Sequence, residues 1–251
     1  VKQQTEFQQM LTDAGQSSLR KYQELTTGRG DLLSLAGYEL TLLLFGYLPG
    51  APGLLCRKIF YPRLFKKVGR GTVFGRSVTI RHPRKISIGE NVVVDDNCVL
   101  DAKGPAGSGI TIGDNVIISR NTILSCKGGS IHVGDNANIG INCVIHSESV
   151  VRMGSNILVA AYCYIVAGGN HDFSRTDIPI VQQRSVSKGG IVIEDNVWLG
   201  ARVTVMDGVT IGRDSVVGAN SLVTRSLPEF VIAFGSSAKV HTHRKHEQPG
   251  K

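Results

Sequence analysis

The chain has 251 residues and a mass of 27.0 kDa, with 41% hydrophobic residues, only 6% aromatics and thirty glycines. Its formal net charge of +8 is concentrated in one stretch, Arg57, Lys58, Arg63, Lys66, Lys67, Arg70, Arg76, Arg81, Arg84 and Lys85. Such a field favours an anionic partner, either a membrane surface or a phosphorylated small molecule. No nucleic-acid-binding motif and no aromatics spaced to stack on bases accompany it, so nucleic acid is set aside.

Residues 1–70 read as a helical, basic-amphipathic extension. Residues 1–9 are polar and hold no secretory signal, which points to a cytoplasmic protein. A first helix is predicted over residues 6–25 and is broken at Gly28 and Gly30. Asp31 is placed to cap a second helix, whose apolar side is Leu32, Leu35, Ala36, Leu40, Leu43 and Leu44, ending near Gly46 or Pro49. The apolar run over residues 40–48 is far shorter than the roughly twenty residues of a membrane span. Pro49-Gly50-Ala51-Pro52-Gly53 reads as a turn, followed by an amphipathic piece over residues 54–65. Two roles fit this region. It covers the open end of the domain that follows, or it lies peripherally on an anionic membrane surface, on the inner face of the membrane.

From about Thr72 a six-residue pattern takes over. An aliphatic residue recurs at Ile88, Val94 and Leu100, at Ile112, Ile118 and Leu124, at Val133, Ile139 and Ile145, and at Met153, Val159 and Ile165. It resumes at Ile193 and runs through Leu199, Val205, Ile211, Val217 and Val223. A hexapeptide period marks a parallel β-helix, an all-β solenoid with three flat faces per coil whose apolar positions are buried only when coils stack. The small residue four positions after the aliphatic one (Cys98, Thr122, Cys143, Cys163, Ser215, Ser221) fits the tight interior corner. The five cysteines show no zinc-binding spacing and read as small buried hydrophobes of a reducing compartment, with no metal implied. The repeat domain is assigned to residues 71–225, with a short interruption at 103–109 and a long loop at 171–190. A loop of that length thrown out of a compact array signals function. Residues 226–251 read as a C-terminal extension with a basic, disordered tail.

The stretch Ile193-Glu-Asp-Asn-Val-Trp198-Leu-Gly200-Ala201, with Val217-Gly-Ala219, Thr224-Arg225-Ser-Leu-Pro228 and Ala233-Phe-Gly235-Ser-Ser-Ala-Lys239, resembles the left-handed β-helix O-acetyltransferases. That group includes galactoside and maltose acetyltransferases and the acetyltransferases of surface-polysaccharide synthesis. The resemblance extends over residues 72–240 and is most specific toward the C-terminus. It implies a coil of left hand, a departure from the usual right-handed crossover, and transfer of an acetyl group from acetyl-CoA to a hydroxyl of a sugar or glycan precursor. No permanently bound cofactor is implied.

By the same resemblance His171 is the general base and Asn142 contacts the acceptor, while Trp198, Gly200, Ala201, Ala219 and Thr224 line the pantetheine path. Arg225 and Lys239 meet the phosphates. An alcohol is a weak nucleophile toward a thioester unless its proton is removed as the bond forms, and an imidazole is suited to that. The backbone at Gly200-Ala201 offers oxyanion donors, and Asp172 is a candidate to orient His171. Asn142 equally fits a structural ladder of asparagines. In such proteins the donor lies between neighbouring subunits of a homotrimer. A γ-class carbonic anhydrase on the same coil needs three converging histidines, and His132, His146 and His171 lack that spacing. Sugar nucleotidyltransferases begin with a glycine-rich nucleotide-binding domain that residues 1–70 do not contain. The competing class is a non-catalytic hexapeptide-repeat scaffold or assembly subunit, which has no use for His171, Trp198 and Arg225 together.

Overall fold

The computed structural model describes residues 15–28, 30–105 and 107–244. The chain forms the expected all-β solenoid with a helical N-terminal extension. Three parallel sheets make the faces of the coil. The first has seven strands, from Lys67–Val68 to Thr210–Ile211; the second has nine, from Val73–Phe74 to Lys239–His243; the third has seven, from Thr79–Arg81 to Leu222–Val223. Trp198 pairs with Val216 and Thr204 with Leu222, steps of 18 residues or three hexapeptides. Earlier coils take more: 20 residues where Val144 pairs with Tyr164, 21 where Ile123 pairs with Val144, and 24 where Val93 pairs with Ile117.

Every aliphatic residue that set the period is buried, and so are Cys98, Thr122, Cys143, Cys163, Ser215 and Ser221. Burial pushes the Cys98 thiol up to about 11 and the Cys126 thiol to about 12, so neither is a ready nucleophile. The acidic position of the repeat also has a physical cause. The Asp135 carboxylate accepts the backbone N–H of Asp114 on the preceding coil at 2.8 Å, and Asp195 accepts that of Ser155 at 2.7 Å. Gly113 makes room for this, because a Cβ there would lie 2.2 Å from Asp135 Oδ1. Asparagine recurs because two of the three corners need a left-handed residue, a conformation Asn tolerates. Asn115, Asn136 and Asn156 have φ of 57–59° and hand an amide hydrogen bond up the corner from coil to coil at 3.1–3.2 Å. At the third corner no asparagine takes that place; its left-handed residues are mostly glycines, such as Gly168 and Gly208 with φ of 94° and 83°. This corner is where residues 103–109 and 168–190 leave the coil.

Both ends of the coil are covered. Tyr61, Phe65 and Phe74 are buried at the N-terminal end, where the Phe74 ring meets both others with centroids 5.4 Å apart. At the other end Val231–Phe234 joins the second sheet parallel to Val216–Val217, and Lys239–His243 turns back antiparallel onto it. The C-terminal extension is structured at least to His243, into the start of the tail expected to be disordered, because the alternation at Val231 and Ala233 buries two more side chains on the last coil. Residues 245–251 lie outside the described residues. The coil also begins earlier than Thr72, at Lys67–Val68.

Among the described residues three α-helices precede the coil. Helix α1, Ser18–Thr26, is capped by Ser17; the rest of the predicted 6–25 helix lies mostly outside the described residues. Helix α2, Leu32–Phe45, is capped as expected by Asp31, whose carboxylate accepts the Ser34 N–H at 2.7 Å. Helix α3 spans Gly50–Phe60 and incorporates the expected turn into its first residues, where Pro52 sacrifices no intrahelical bond. Of the predicted apolar side of α2 the structure buries only Leu35, and corrects the rest. Leu35 and Tyr38 face the coil, with the Tyr38 hydroxyl donating to the Ile80 carbonyl at 2.6 Å, whereas Leu32, Leu40, Leu43 and Leu44 point outward. Arg57 fixes the helices to the coil: its buried guanidinium donates to the carbonyls of Phe45, Leu48 and Phe74 at 2.8–2.9 Å.

Candidate active site

The long loop is a built arm. Asn170–His171 and Ser185–Val186 form a short antiparallel ribbon, and Gln183 is buried inside the bend, donating to the carbonyls of Arg175 and Ile178. The foot of the ribbon is held by Asp207, a buried carboxylate on the adjoining coil. Asp207 accepts the backbone N–H of Lys188 at 2.7 Å, that of Gly190 at 2.9 Å and the Asn170 side-chain amide at 3.1 Å, so both ends of the excursion are tied to one carboxylate. His171 is exposed on this ribbon, paired in register with Ser185. Asp172 does not orient it. Its carboxylate accepts the Ser174 N–H at 2.9 Å, and that bond holds its pKa below the usual carboxylate range.

A second polar group lies beside the loop's entrance. Glu148 pairs with Lys127 at 3.3 Å and His146 at 3.7 Å, and a Cβ at Gly168 would meet its side chain at 2.7 Å. Neither Glu148 nor Asp207 stood out in the sequence. The available signal was an acidic residue at the corner where the period breaks.

Trp198 stands on the outer face of the second sheet, 48% exposed, in register between Leu158 and Val216. Two residues on, Gly200 is buried against the next coil, where a Cβ would lie 2.6 Å from Ala219 N. The structure thus stacks Gly200 directly on the predicted Ala219. Gly140, Ala160, Gly200 and Gly218 follow the same strand position on successive coils, each donating its N–H to the coil above. With no bulky side chain at these positions the outer surface stays low along the coil, which suits a thin chain such as a pantetheine arm. The Gly200 N–H is engaged with the Val217 carbonyl at 2.8 Å, so it is not an oxyanion donor; among the described residues no partner takes the Ala201 N–H.

Thr224 donates to Ser237 at 3.2 Å, tying the last coil to the C-terminal hairpin. This brings the segment carrying Arg225 to the one carrying Lys239, both exposed and without a carboxylate partner among the described residues. Asn142 occupies a left-handed corner with φ of 56° and accepts the Asn121 amide at 3.0 Å, so it has the ladder role, with its own amide group directed to no described partner. No hydrogen bond or ring contact joins His171 to Trp198 or Asn142 within one chain. His132 lies on the first sheet and His146 on the third, apart from His171, and among the described residues no group of three or more His, Cys, Asp or Glu gathers to hold a metal ion.

The family model described as bacterial transferase hexapeptide (six repeats) matches residues 190–225, and that described as hexapeptide repeat of succinyl-transferase matches residues 67–102 and 130–167. The chain is 35% identical over 119 residues to the galactoside O-acetyltransferase of Escherichia coli, a match covering 45% of this chain and 54% of that protein. It is 32% identical over 133 residues to a putative acetyltransferase of Staphylococcus aureus, covering 47% of this chain and 67% of that protein. The matched segment spans between 38% and 60% of the length of the first three curated relatives. Among solved structures, a variant of an N-acyltransferase from Bacillus cereus in complex with dTDP-4-amino-4,6-dideoxyglucose and coenzyme A is similar with a TM-score of 0.51 at 26% identity, over 72% of this chain and 85% of that chain.

Proposed function

The chain belongs to the hexapeptide-repeat acetyltransferases, and from that premise we propose that it transfers an acetyl group from acetyl-CoA to a hydroxyl of a sugar or glycan precursor, with His171 as general base. The observation that carries this reading is the presentation of His171. The ribbon holds an imidazole out from the coil, and a single buried carboxylate locks the ribbon's foot one coil from the Trp198-Leu-Gly200-Ala201 segment. The coenzyme A complex of the Bacillus cereus relative supports the donor, and the galactoside-acetylating relative supports a sugar hydroxyl as acceptor.

In this reading a ring nitrogen of His171 accepts the acceptor's hydroxyl proton as its oxygen attacks the thioester carbonyl. The tetrahedral oxyanion is met by the Ala201 N–H. Collapse breaks the carbon–sulfur bond, and the imidazolium returns its proton to the departing thiolate. The chain's residues supply orientation and one proton relay, worth roughly 10²–10⁴-fold for the base. No acyl-enzyme is required. Release of thiol from acetyl-CoA, measured with a panel of sugars, tests the reading; thiol release unchanged by every acceptor, with no acetylated product, would leave the non-catalytic alternative. An amino sugar nucleotide belongs in that panel, because the Bacillus cereus relative was solved with one.

Asp207 gives a sharper test of the arm. In Asp207→Asn one of the three donors at the loop's foot faces an amide NH₂ instead of an acceptor oxygen. We expect kcat to fall about tenfold, from displacement of the base by a fraction of an ångström, with coenzyme A affinity and the melting temperature of the coil little changed. An unchanged kcat would show that the staple does not set the position of His171.

The three outer faces of the coil differ, and this supports a homotrimer with the donor between chains. The first sheet shows Lys67, Thr111 and Arg152 to solvent, whereas the second exposes Val93, Ile117, Leu158 and Trp198. Packing the apolar face against a neighbour around a three-fold axis closes the assembly and repeats one groove three times. Analytical ultracentrifugation is expected to give about three times 27.0 kDa; an active monomer would refute the shared site. We also place the enzyme at the inner, anionic surface of a membrane, where surface-polysaccharide and lipid-linked saccharides are assembled, on the strength of its charge distribution.

A further inference from the structure

We propose that helices α2 and α3 form the lipid-docking face of this protein and lie flat on an anionic bilayer surface. The inference rests on the membrane part of the proposed function and is independent of acetyl transfer. A surface helix ordinarily shows a polar face to water; one that is apolar on all sides is covered by something. Helix α2 is of the second kind. Leu33 is 87% exposed, Leu43 78% and Tyr47, just past the helix, 77%, while Leu35 and Tyr38 bury the opposite side against the coil. Helix α3 adds Leu55 at 58% and Ile59 at 46%. Phe45 and Phe60 stack at 4.5 Å, joining the two helices. A contiguous apolar surface on this scale marks an interaction site rather than scattered exposure.

Charge identifies the occupant. Between Glu39 and Glu90 the sequence has ten basic residues and no acidic one. Glu39 itself accepts a hydrogen bond from the Tyr22 hydroxyl at 2.6 Å. Of the ten, Lys58, Arg63, Lys66 and Lys67 are exposed and have no carboxylate partner among the described residues, and the Arg63 guanidinium sits 5.5 Å from the Phe60 ring centroid. Apolar side chains flanked by unpaired cations, with no anions between, complement acyl chains beneath a layer of anionic headgroups. An interface with a second copy would bring these cations together. Spanning is not the mode: no described helix is long and apolar enough to cross a membrane.

Flotation of the full chain with phosphatidylcholine vesicles, with and without 30 mol% phosphatidylglycerol, tests the inference. Binding is expected with phosphatidylglycerol, and raising salt to about 0.5 M should weaken it severalfold through screening. Lys66→Ala/Lys67→Ala should lower affinity about fivefold per residue at low salt, or about thirtyfold together. Leu33→Glu/Leu43→Glu should abolish binding while the circular dichroism melt and thiol release from acetyl-CoA persist. If the full chain ignores anionic vesicles, binds neutral ones equally well, or binds unchanged in the lysine variant, the inference is wrong. Dissociation of the oligomer by Leu33→Glu/Leu43→Glu, with lipid binding retained, would likewise overturn it and assign the face to a subunit contact. A protein that floats but transfers no acetyl group would sink the enzymatic reading and leave this one standing.

Discussion

Replacing His171 by Ala is expected to lower kcat by two orders of magnitude or more while coenzyme A affinity stays within a few-fold of the parent. The sign and size follow from the chemistry. A sugar hydroxyl gives up its proton only as the new carbon–oxygen bond forms, and without a base the proton must pass to water in a site arranged around another acceptor. The base contributes roughly 10²–10⁴-fold. In the proposed site coenzyme A is read by the small-residue strip and the C-terminal cations, which the substitution does not touch. The substitution leaves the fold intact, because the imidazole is exposed and makes no hydrogen bond among the described residues. Steady-state rates with saturating donor, paired with calorimetric titration of coenzyme A, separate the two quantities. If the rate survives and Glu148→Gln abolishes it instead, the base belongs to the neighbouring cluster at the loop's foot.

Arg225→Ala and Lys239→Ala should each weaken coenzyme A binding by about 1–3 kcal/mol, the worth of a charge-assisted contact to phosphate, or about 5- to 150-fold in Kd. Both side chains are exposed, so the smaller end of that range applies at high salt. The Thr224–Ser237 bond ties the two segments together, so the variants should be less than additive when combined. Dephospho-coenzyme A resolves which cation meets the 3′-phosphate: that variant should bind the two forms about equally, whereas the parent prefers coenzyme A. Normal binding in both variants would remove the phosphate site from this end of the coil. At a bidentate contact Arg225→Lys should restore only part of the affinity.

The period alone dictated the architecture. An inward aliphatic residue every six positions has no other way to bury its side chains than a stacked three-sided coil, and all eighteen residues that set it are buried. The acidic and Asn positions were visible as pattern, although their reasons, the coil-to-coil Asp caps and the left-handed corners, are three-dimensional. Four matters were decided only by tertiary structure. Local pattern marks Leu32, Leu35, Ala36, Leu40, Leu43 and Leu44 as a packing side, yet of these the coil buries only Leu35 and adds Tyr38, because hydrophobicity all around a helix carries no direction. Residues 226–251 read only as an extension with a basic tail, yet residues 231–243 take a strand order that the free edge of the second sheet supplies and the local period does not. The Gly200 N–H seemed available until stacking committed it to Val217. Asp207 was one more polar residue in the repeat, and only closure of the loop from Asn170 to Gly190 brings three donors to its carboxylate. Short-range periodicity determines which side chains go inside; contacts between residues far apart in the chain determine which polar groups remain free for chemistry.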